Sequence, residues 1–371
     1  MTRPVASHRP LHFAVVGCGR ISEKHLSALT SGELPARLVA VADVDESKAL
    51  SKAEQCRVPC YTDYHQMLAA HPEVDVIDVL TPSGLHAEHV VDLAPYGKHI
   101  VCEKPMALRP EHCDRMIEAC RSGGGRLFVV KNNRFNPAVQ AARRALDEGR
   151  FGRMVSASVS LRWRRDQSYY DQADWRGTWA LDGGVLAQQA THHLDLLQWF
   201  MGPVESVQCQ AATRLMDIEV EDTAAAILRF SSGALATFEA TTAARPADIG
   251  CTLSLLGERG TVVVGGMAVN TIELWRFDHG ADDEATIAAR FSQEVSSVYG
   301  RGHLPYLADV VEAIRTGRPG MVEAEEGRRN IEILAALYES AAQGGMPVRP
   351  GQPLTHTRLG LRDDRARAAR A

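Results

Sequence analysis

The residues with the greatest chemical reach stand at the ends of short β-branched runs. Phe13-Ala14-Val15-Val16 leads into Gly17-Cys18-Gly19-Arg20-Ile21-Ser22, a G-x-G-x-x-S pattern between a predicted strand and a predicted helix. Glycines there let the backbone turn sharply and approach a pyrophosphate, whose charge then rests on the free N–H groups of the helix amino terminus. A glycine turn alone is often only a turn. Asp43, however, lies 24 residues after Gly19 at the end of the next predicted strand, where a ribose-binding carboxylate belongs. Gly17, Cys18, Gly19, Arg20, Ile21 and Asp43 are therefore read as a dinucleotide site. Ser22 replaces the usual third Gly or Ala but is small enough to keep helix and strand close. Asp43-Val44-Asp45 contains no arginine and would repel a 2′-phosphate, so the expected cofactor is NAD rather than NADP.

Two further strand ends point to the same crevice, Thr81-Pro82-Ser83-Gly84-Leu85-His86 and Cys102-Glu103-Lys104-Pro105, because ligands of doubly wound sheets bind at the carboxyl ends of the strands. Taken singly, Lys104 reads as a solvated turn residue. After Gly183-Gly184 a helical stretch carries an apolar stripe of Ala190, Leu194, Leu197 and Met201, with Gln188, His192 and Asp195 at i, i+4 and i+7 on another face. Such a polar face is usually just solvated, although a glycine pair can bring a helix start close to a ligand. His193, about 100° further round, is assigned to structure or to hydrogen bonding behind the site residues. The segment Arg164-Arg165-Asp166-Gln167-Ser168-Tyr169-Tyr170, with Trp175 and Trp179 beyond it, mixes cations, amides and aromatic rings at a strand end. Arginine pairs suit a carboxylate or diphosphate, and tyrosine and tryptophan faces suit a sugar or uracil. The same composition also suits a polar surface loop. His303 and Tyr306 either face that pocket or cap the helix that follows.

The elements that must hold these residues fall into two periods. From residue 11 to about 131, strands Leu11–Val16, Arg37–Ala42, Val74–Leu80, His99–Cys102 and Arg126–Val130 alternate with helical patterns, which predicts βαβ units around a parallel sheet. A helix over Pro137–Glu148 ends at Gly149. Strands are then predicted over Met154–Trp163, Val204–Thr213, Thr223–Phe230, Ala234–Thr242, Thr252–Leu256, Thr261–Val264 and Ile272–Phe277, with hairpin turns at Ser231-Ser232-Gly233 and Glu258-Arg259-Gly260. Helices are expected over Leu186–Met201, Leu304–Arg315 and Ala324–Ala342. The fold class is α/β: a Rossmann doubly wound parallel sheet over residues 11–133, then an α+β domain over 134–355 with a large, mostly antiparallel sheet. A tail is set off over 356–371, and residues 1–10 and the Arg/Asp/Ala-rich stretch after about Leu361 are expected to be weakly ordered.

Bulk properties agree with two domains, since 371 residues exceed one ordinary core. Apolar residues make up 45% and charged residues 23%, a globular composition. A net charge of −5 advertises no nucleic-acid surface. The eight cysteines form no C-x-x-C pair and no metal-spaced cluster with histidine, so reduced thiols, a cytoplasmic protein and no bound metal are expected. The run Leu11–Val16 is too short for a membrane span, and neither an export signal nor an anchor is inferred.

Gly17-Cys18-Gly19-Arg20-Ile21, Glu103-Lys104-Pro105, Gly183-Gly184-Val185-Leu186 and Thr191-His192-His193-Leu194-Asp195 together resemble the Gfo/Idh/MocA family of oxidoreductases, relatives of glucose-fructose oxidoreductase and inositol dehydrogenase. The similarity runs from about Leu11 to Leu354. The resemblance implies that Glu103 contacts the nicotinamide ribose, that Lys104 reaches the substrate hydroxyl, and that His192 is the catalytic histidine. Thr81, Pro82, Ser83, His86 and Arg134 complete the expected cofactor contacts. Many members carry an aspartate four residues before the histidine. Here the residue is Gln188, which puts in question any mechanism needing an acid there. A cis bond before Pro105 is also favoured by the resemblance.

Arg164–Asp171, Trp175-Arg176-Gly177-Thr178-Trp179, Asp182-Gly183-Gly184 and Gln189–His193 look like the subgroup that oxidises the 3-hydroxyl of UDP-N-acetyl-glucosaminuronic acid during the making of diacetamido-uronic acids for bacterial surface polysaccharide. The expected substrate contacts are Lys104, Arg164, Gln167, Tyr169, Tyr170, Trp179, Gln188, His192 and His303. The resemblance also suggests a homo-dimer or homo-tetramer built through the second sheet. Two other readings stand beside it, an inositol or aldose dehydrogenase of the same family and a non-catalytic NAD-binding homologue. Whether Lys104 or His192 takes the proton is left open.

Overall fold

The computed structural model describes residues 9–278, 283–295 and 297–361. The chain forms two compact units. The first holds residues up to Lys131 together with His303–Arg329, and the second holds Asn132–Gly302 and the chain from Asn330 onward.

In the first unit, β1 (Leu11–Val16), β2 (Ala36–Ala42), β3 (Cys60–Tyr61), β4 (Val76–Val79), β5 (His99–Cys102) and β6 (Leu127–Val129) pair in the order β3-β2-β1-β4-β5-β6, every pair parallel. Between them run α1 (Ser22–Thr30), α2 (Glu46–Cys56), α3 (Tyr64–Ala70), α4 (His86–Leu93) and α5 (Pro110–Gly123). The central strands β1 and β4 are buried almost throughout, as expected where helices cover both faces. The helices start where the side chains dictate: Asp45 accepts the Ser47 and Lys48 N–H groups, Asp63 those of His65 and Gln66, and α5 opens on a proline.

The second unit begins with α6 (Pro137–Asp147). Its sheet contains β7 (Met154–Arg162), β8 (Val204–Ala212), β9 (Thr223–Phe230), β10 (Leu235–Thr241), β11 (Gly250–Gly257), β12 (Gly260–Gly265) and β13 (Thr271–Phe277), in the order β13-β12-β11-β7-β10-β9-β8. Only β7 and β10 pair in parallel; the remaining pairs are antiparallel. Burial alternates along β9 and β10, so Ala226, Leu228, Phe230, Ala236 and Phe238 share the core face. Gly233, at φ +89°, turns the β9–β10 hairpin as its sequence predicts. Between β7 and β8 lie α7 (Gln167–Tyr170), α8 (Val185–Gln188) and α9 (Thr191–Met201), and α10 (Glu284–Phe291) follows β13.

Three expectations are corrected. The helix predicted over Leu186–Met201 is two helices: Ala190 N–H bonds Val185 O five residues back, and this slip in the hydrogen-bond ladder breaks the rod at Gln189-Ala190. The chain beyond 134 is not one domain, because α11 (His303–Thr316) and the start of α12 (Ala324–Ala342) belong to the first unit. There Val129 N–H bonds Val322 O, and Arg126 reaches Ala313 O and Glu323. The second unit does not end at the expected boundary of 355, since Gly360 N–H bonds Trp179 O at 2.8 Å and His356 and Thr357 bond Glu339. Arg9 is likewise paired with Asp75 at 2.7 Å. The other residues expected to be weakly ordered, 1–8 and 362–371, lie outside the described residues. All eight cysteines are free thiols, and among the described residues no helix is long and apolar enough to cross a membrane.

Phe238 is 1% exposed in the centre of the second sheet. Phe238→Ala should cost about 3–5 kcal/mol through lost burial and the cavity left behind. All five tryptophans lie in the second unit, so the urea midpoint of tryptophan emission reads this directly. A cost under about 1 kcal/mol would contradict this packing.

Candidate active site

The first unit brings the predicted cofactor residues other than Arg134 to the carboxyl ends of β1, β2, β4 and β5. Gly17 adopts φ +103°, and a Cβ there would lie 2.8 Å from the Leu80 backbone, so only glycine lets β1 turn against the end of β4. Over Gly19 nothing lies within 4 Å of where a Cβ would be, so the turn ahead of α1 is open for close approach. The Ser22 hydroxyl, fully buried, donates to Gly19 O at 2.7 Å and ties the turn to the helix. Arg20 is exposed and Ile21 half-buried beside it. Asp43 directly follows β2 with its carboxylate oriented by two backbone donors, Cys18 N–H (2.7 Å) and Asp45 N–H (2.9 Å). Burial pushes the Cys18 thiol up to about 12, which leaves it inert as a nucleophile. An open glycine turn, a helix amino terminus and a carboxylate at the next strand end are the parts a dinucleotide requires, so these residues fit NAD.

The loops after β4 and β5 are stapled by His86, whose ring nitrogens lie 2.8 Å from Thr81 O and from Pro105 O. Burial holds its pKa below the ordinary value, so the neutral ring donates to one carbonyl at a time. Thr81 Oγ1 meets His89 Nδ1 at 2.8 Å, Pro82 precedes the turn Ser83–Leu85, and Ser83 is buried. The Lys104–Pro105 bond is cis.

Beneath Lys104 lies a polar cluster that the sequence reading did not assemble. Glu103 Oε2 accepts the Lys104 N–H at 2.7 Å, and Glu103 Oε1 faces His25 Nε2 at 3.2 Å. His25 Nδ1 is 2.7 Å from Asp78 Oδ2. His303, opening α11, sits edge-on to His25 with ring centroids 5.3 Å apart and its Nε2 3.7 Å from Glu103 Oε1. Despite the burial that opposes it, Asp78 and Glu103 raise His25 to about 10, and His25 followed by His303 hold Glu103 well below the carboxylate range. His25, Glu103 and His303 place ligand-type atoms within 4.8 Å of one another, but a ring bonded to carboxylates through both nitrogens is an imidazolium in an ion pair. The sequence did hold one signal: Asp78 interrupts Val76-Ile77-Asp78-Val79, and a carboxylate inside a buried strand must have a partner.

In the second unit Gly184 precedes α8 because a Cβ would lie 2.2 Å from the Glu221 carboxylate. Tyr338 donates to Glu221 Oε1 (2.7 Å) and accepts the Gly184 N–H (2.9 Å), and Leu186 N–H also reaches Glu221 Oε1. Burial raises Glu221 to about 7. His192 is the second residue of α9 and half-buried, whereas Gln188 ends α8 with its amide 3.4 Å from Asp182 O. The predicted i, i+4 relation of these two therefore does not apply. Nor is Asp195 on a solvated face. It is buried and takes two donors from Arg134, at 2.7 and 2.8 Å, while that guanidinium lies over the Trp199 ring. Arg134, expected among the cofactor contacts, thus has Asp195 as its observed partner. His193 is buried edge-on to Trp163, and burial lowers it to about 4, so it stays neutral.

The Arg/Tyr segment is a tied structure rather than a loose loop. Arg176 lies 4.3 Å over the Tyr169 ring and donates to Tyr169 O, and Arg165 lies 5.4 Å from the same ring. Tyr170 is buried, with its hydroxyl 3.1 Å from Thr242 Oγ1. Gln167 brackets Asp217, accepting its N–H and donating to its carbonyl. Arg164 is exposed and paired with Asp166 at 2.7 Å. Trp179 stands against Tyr338 with Arg358 over it. His303, assigned to substrate on sequence, belongs to the other unit and is buried there beside Glu103.

Two family models match the chain. Residues 11–131 match the oxidoreductase family with the NAD-binding Rossmann fold, and residues 139–263 match the GFO/IDH/MocA C-terminal domain. The WlbA dehydrogenase of Bordetella pertussis, solved in complex with NADH and UDP-GlcNAcA, is 38% identical with a TM-score of 0.85, covering 95% of this chain and 100% of that one. The Chromobacterium violaceum WlbA dehydrogenase, in complex with the same two ligands, is also 38% identical at a TM-score of 0.86, over 95% and 98% of the two chains. The myo-inositol 2-dehydrogenase of Thermotoga maritima is 27% identical over 89% of this chain and 96% of its own. With both units matched and 38% identity over whole chains, this protein belongs to the Gfo/Idh/MocA family and is an NAD-dependent oxidoreductase acting on CH–OH groups.

Proposed function

We propose that the chain oxidises the 3-hydroxyl of UDP-N-acetyl-glucosaminuronic acid to the 3-keto sugar, a step toward diacetamido-uronic acids of surface polysaccharide. The observation that carries this reading is the ordered Arg165–Tyr169–Arg176 stack with Trp175 beside Arg176, which offers cations and ring faces to a nucleotide-linked acid. The WlbA likeness supports it, whereas the likeness to a myo-inositol dehydrogenase favours a free polyol. Arg164 already pairs with Asp166 and Arg165 with Asp248, so the anchoring of the acid is assigned first to Arg176, which meets no carboxylate among the described residues.

NAD would be held by the Gly17–Ile21 turn and by Asp43, with its reacting ring toward Lys104; when bound it accepts the hydride. The chain's own task is the accompanying proton. An alcohol that loses hydride must give its O–H proton to a base, and Lys104 and His192 are the two candidates. We assign His192 as the base, since neutral imidazole accepts near physiological pH, and Lys104 as the group that orients and polarises the hydroxyl. The reverse assignment fits the same residues. With the acid and diphosphate anchored, one ring hydroxyl is presented, and such positioning supplies a large part of the rate.

Three outcomes are expected. Asp43 should make NAD bind far more tightly than NADP; equal dissociation constants would remove its role at the ribose. Lys104→Met and His192→Ala should each lower turnover by about a hundredfold or more while leaving NAD affinity nearly intact. Normal turnover of His192→Ala would take it out of the site. Incubation with NAD and UDP-N-acetyl-glucosaminuronic acid, with a coupled aminotransferase or keto acid to pull the equilibrium, should yield NADH and the 3-keto sugar. UDP-N-acetylglucosamine should react poorly, because donors meant for the carboxylate are left unpaired. If the neutral sugar or free inositol proved the better substrate, the inositol or aldose reading would take its place.

A further inference from the structure

Every group in the cluster below Lys104 is nearly or fully buried: His25 and Asp78 at 0%, Glu103 at 4% and His303 at 5%. An imidazole that faces a carboxylate oxygen with each nitrogen must carry both protons, because the neutral ring would set a lone pair against one of those oxygens. The contact through Nδ1, at 2.7 Å, is short and charge-assisted, and the one through Nε2, at 3.2 Å, is longer. One imidazolium therefore offsets two buried carboxylates, and no described residue bonds the second oxygen of Asp78. Removing a buried cation from such a set leaves uncompensated charge rather than an empty space.

The cluster also has a direction. Asp78 belongs to a central strand with hydrogen-bonded neighbours on both sides, so it is the fixed end. Glu103 is the far end, at the point where the chain leaves β5, and its second oxygen takes the N–H of the very next residue. A carboxylate held from one side by an imidazolium and gripping its neighbour's peptide from the other fixes where that neighbour's backbone lies.

We propose that His25 is a positioning residue for Lys104: it is anchored on Asp78 through one ring nitrogen and holds Glu103 through the other, and Glu103 passes that anchor to the Lys104 N–H. This rests on the proposed action of Lys104 at the reacting hydroxyl. His25 touches neither substrate nor hydride. It sets the backbone from which the Lys104 side chain extends, and His303 closes the cluster on its remaining side.

The test is a double-mutant cycle on turnover at saturating NAD and UDP-N-acetyl-glucosaminuronic acid, read well below each variant's melting temperature. His25→Gln should lower kcat about tenfold or more, with NAD affinity changed less than about threefold. Combined with Glu103→Gln, the loss should not exceed that of the worse single change; combined with Lys104→Met, it should add nothing. Hydrogen–deuterium exchange of the segment 99–106 without cofactor should accelerate at the Lys104 amide in His25→Gln. If His25→Gln fails to fold, the cycle is run on Asp78→Asn, where His25→Gln restores the original single negative charge. Losses that multiply in the double variants, or unchanged amide exchange, would overturn the role of His25 while leaving that of Lys104 intact. Normal turnover of Lys104→Met would overturn both.

Discussion

A charge taken out of water has to find its counter-charge within the fold, and in each unit the residue assigned to the reaction hangs from such a pairing. In the first, Asp78, His25 and Glu103 form a buried line that ends on the Lys104 amide. In the second, Arg134 and Asp195 form a buried two-point pair, and Asp195 lies one turn along α9 from His192. Neither pair is efficient as a source of stability, because desolvation consumes most of what the attraction returns. Their value is geometric. A bidentate guanidinium–carboxylate contact or an imidazolium between two carboxylates tolerates little displacement, so the attached helix or strand end is fixed more tightly than apolar contacts would fix it.

Local patterning made most of the fold legible. The alternation on β9 and β10, the apolar runs of β1 and β4 and the glycines at 17 and 19 each express a neighbour-to-neighbour rule, and those elements match their expected positions. What the pattern concealed were partnerships across long stretches of chain. His25 and Asp78 are 53 residues apart, and His25 and Glu103 are 78 apart, so no window on the sequence contains both ends. The polar face expected of Gln188, His192 and Asp195 failed for two reasons. A single five-residue hydrogen bond split the helix, and a buried arginine turned an apparently solvated aspartate inward.

The composition of the Arg/Tyr segment was legible, but its state was not. A run of cations at a strand end reads equally well as free binding groups or as surface pairs, and both occur here. Arg164 is exposed and offset by Asp166, while Arg165 and Arg176 are ordered on the face of Tyr169. Arg165 also pairs with Asp248, whereas Arg176 gives one nitrogen to Tyr169 O and Gln172 and meets no carboxylate among the described residues, so a stacked arginine can be held in place with its charge not offset by an acid. The number of arginines in such a segment therefore says less than which of them are already offset by a carboxylate.

The return of the chain to the first unit has a consequence for synthesis. The outer edge of β6 is covered by Val322 and Glu323, and Arg126 reaches across to the same late segment. On a ribosome elongating at roughly 5–20 residues per second, that edge stays bare for about 10–40 s after β6 has emerged. An uncovered strand edge is a template for pairing with another chain. A nascent nucleotide-binding half is therefore exposed to misassembly for that interval, and a fragment cut at the apparent domain boundary near Lys131 would carry the same open edge permanently.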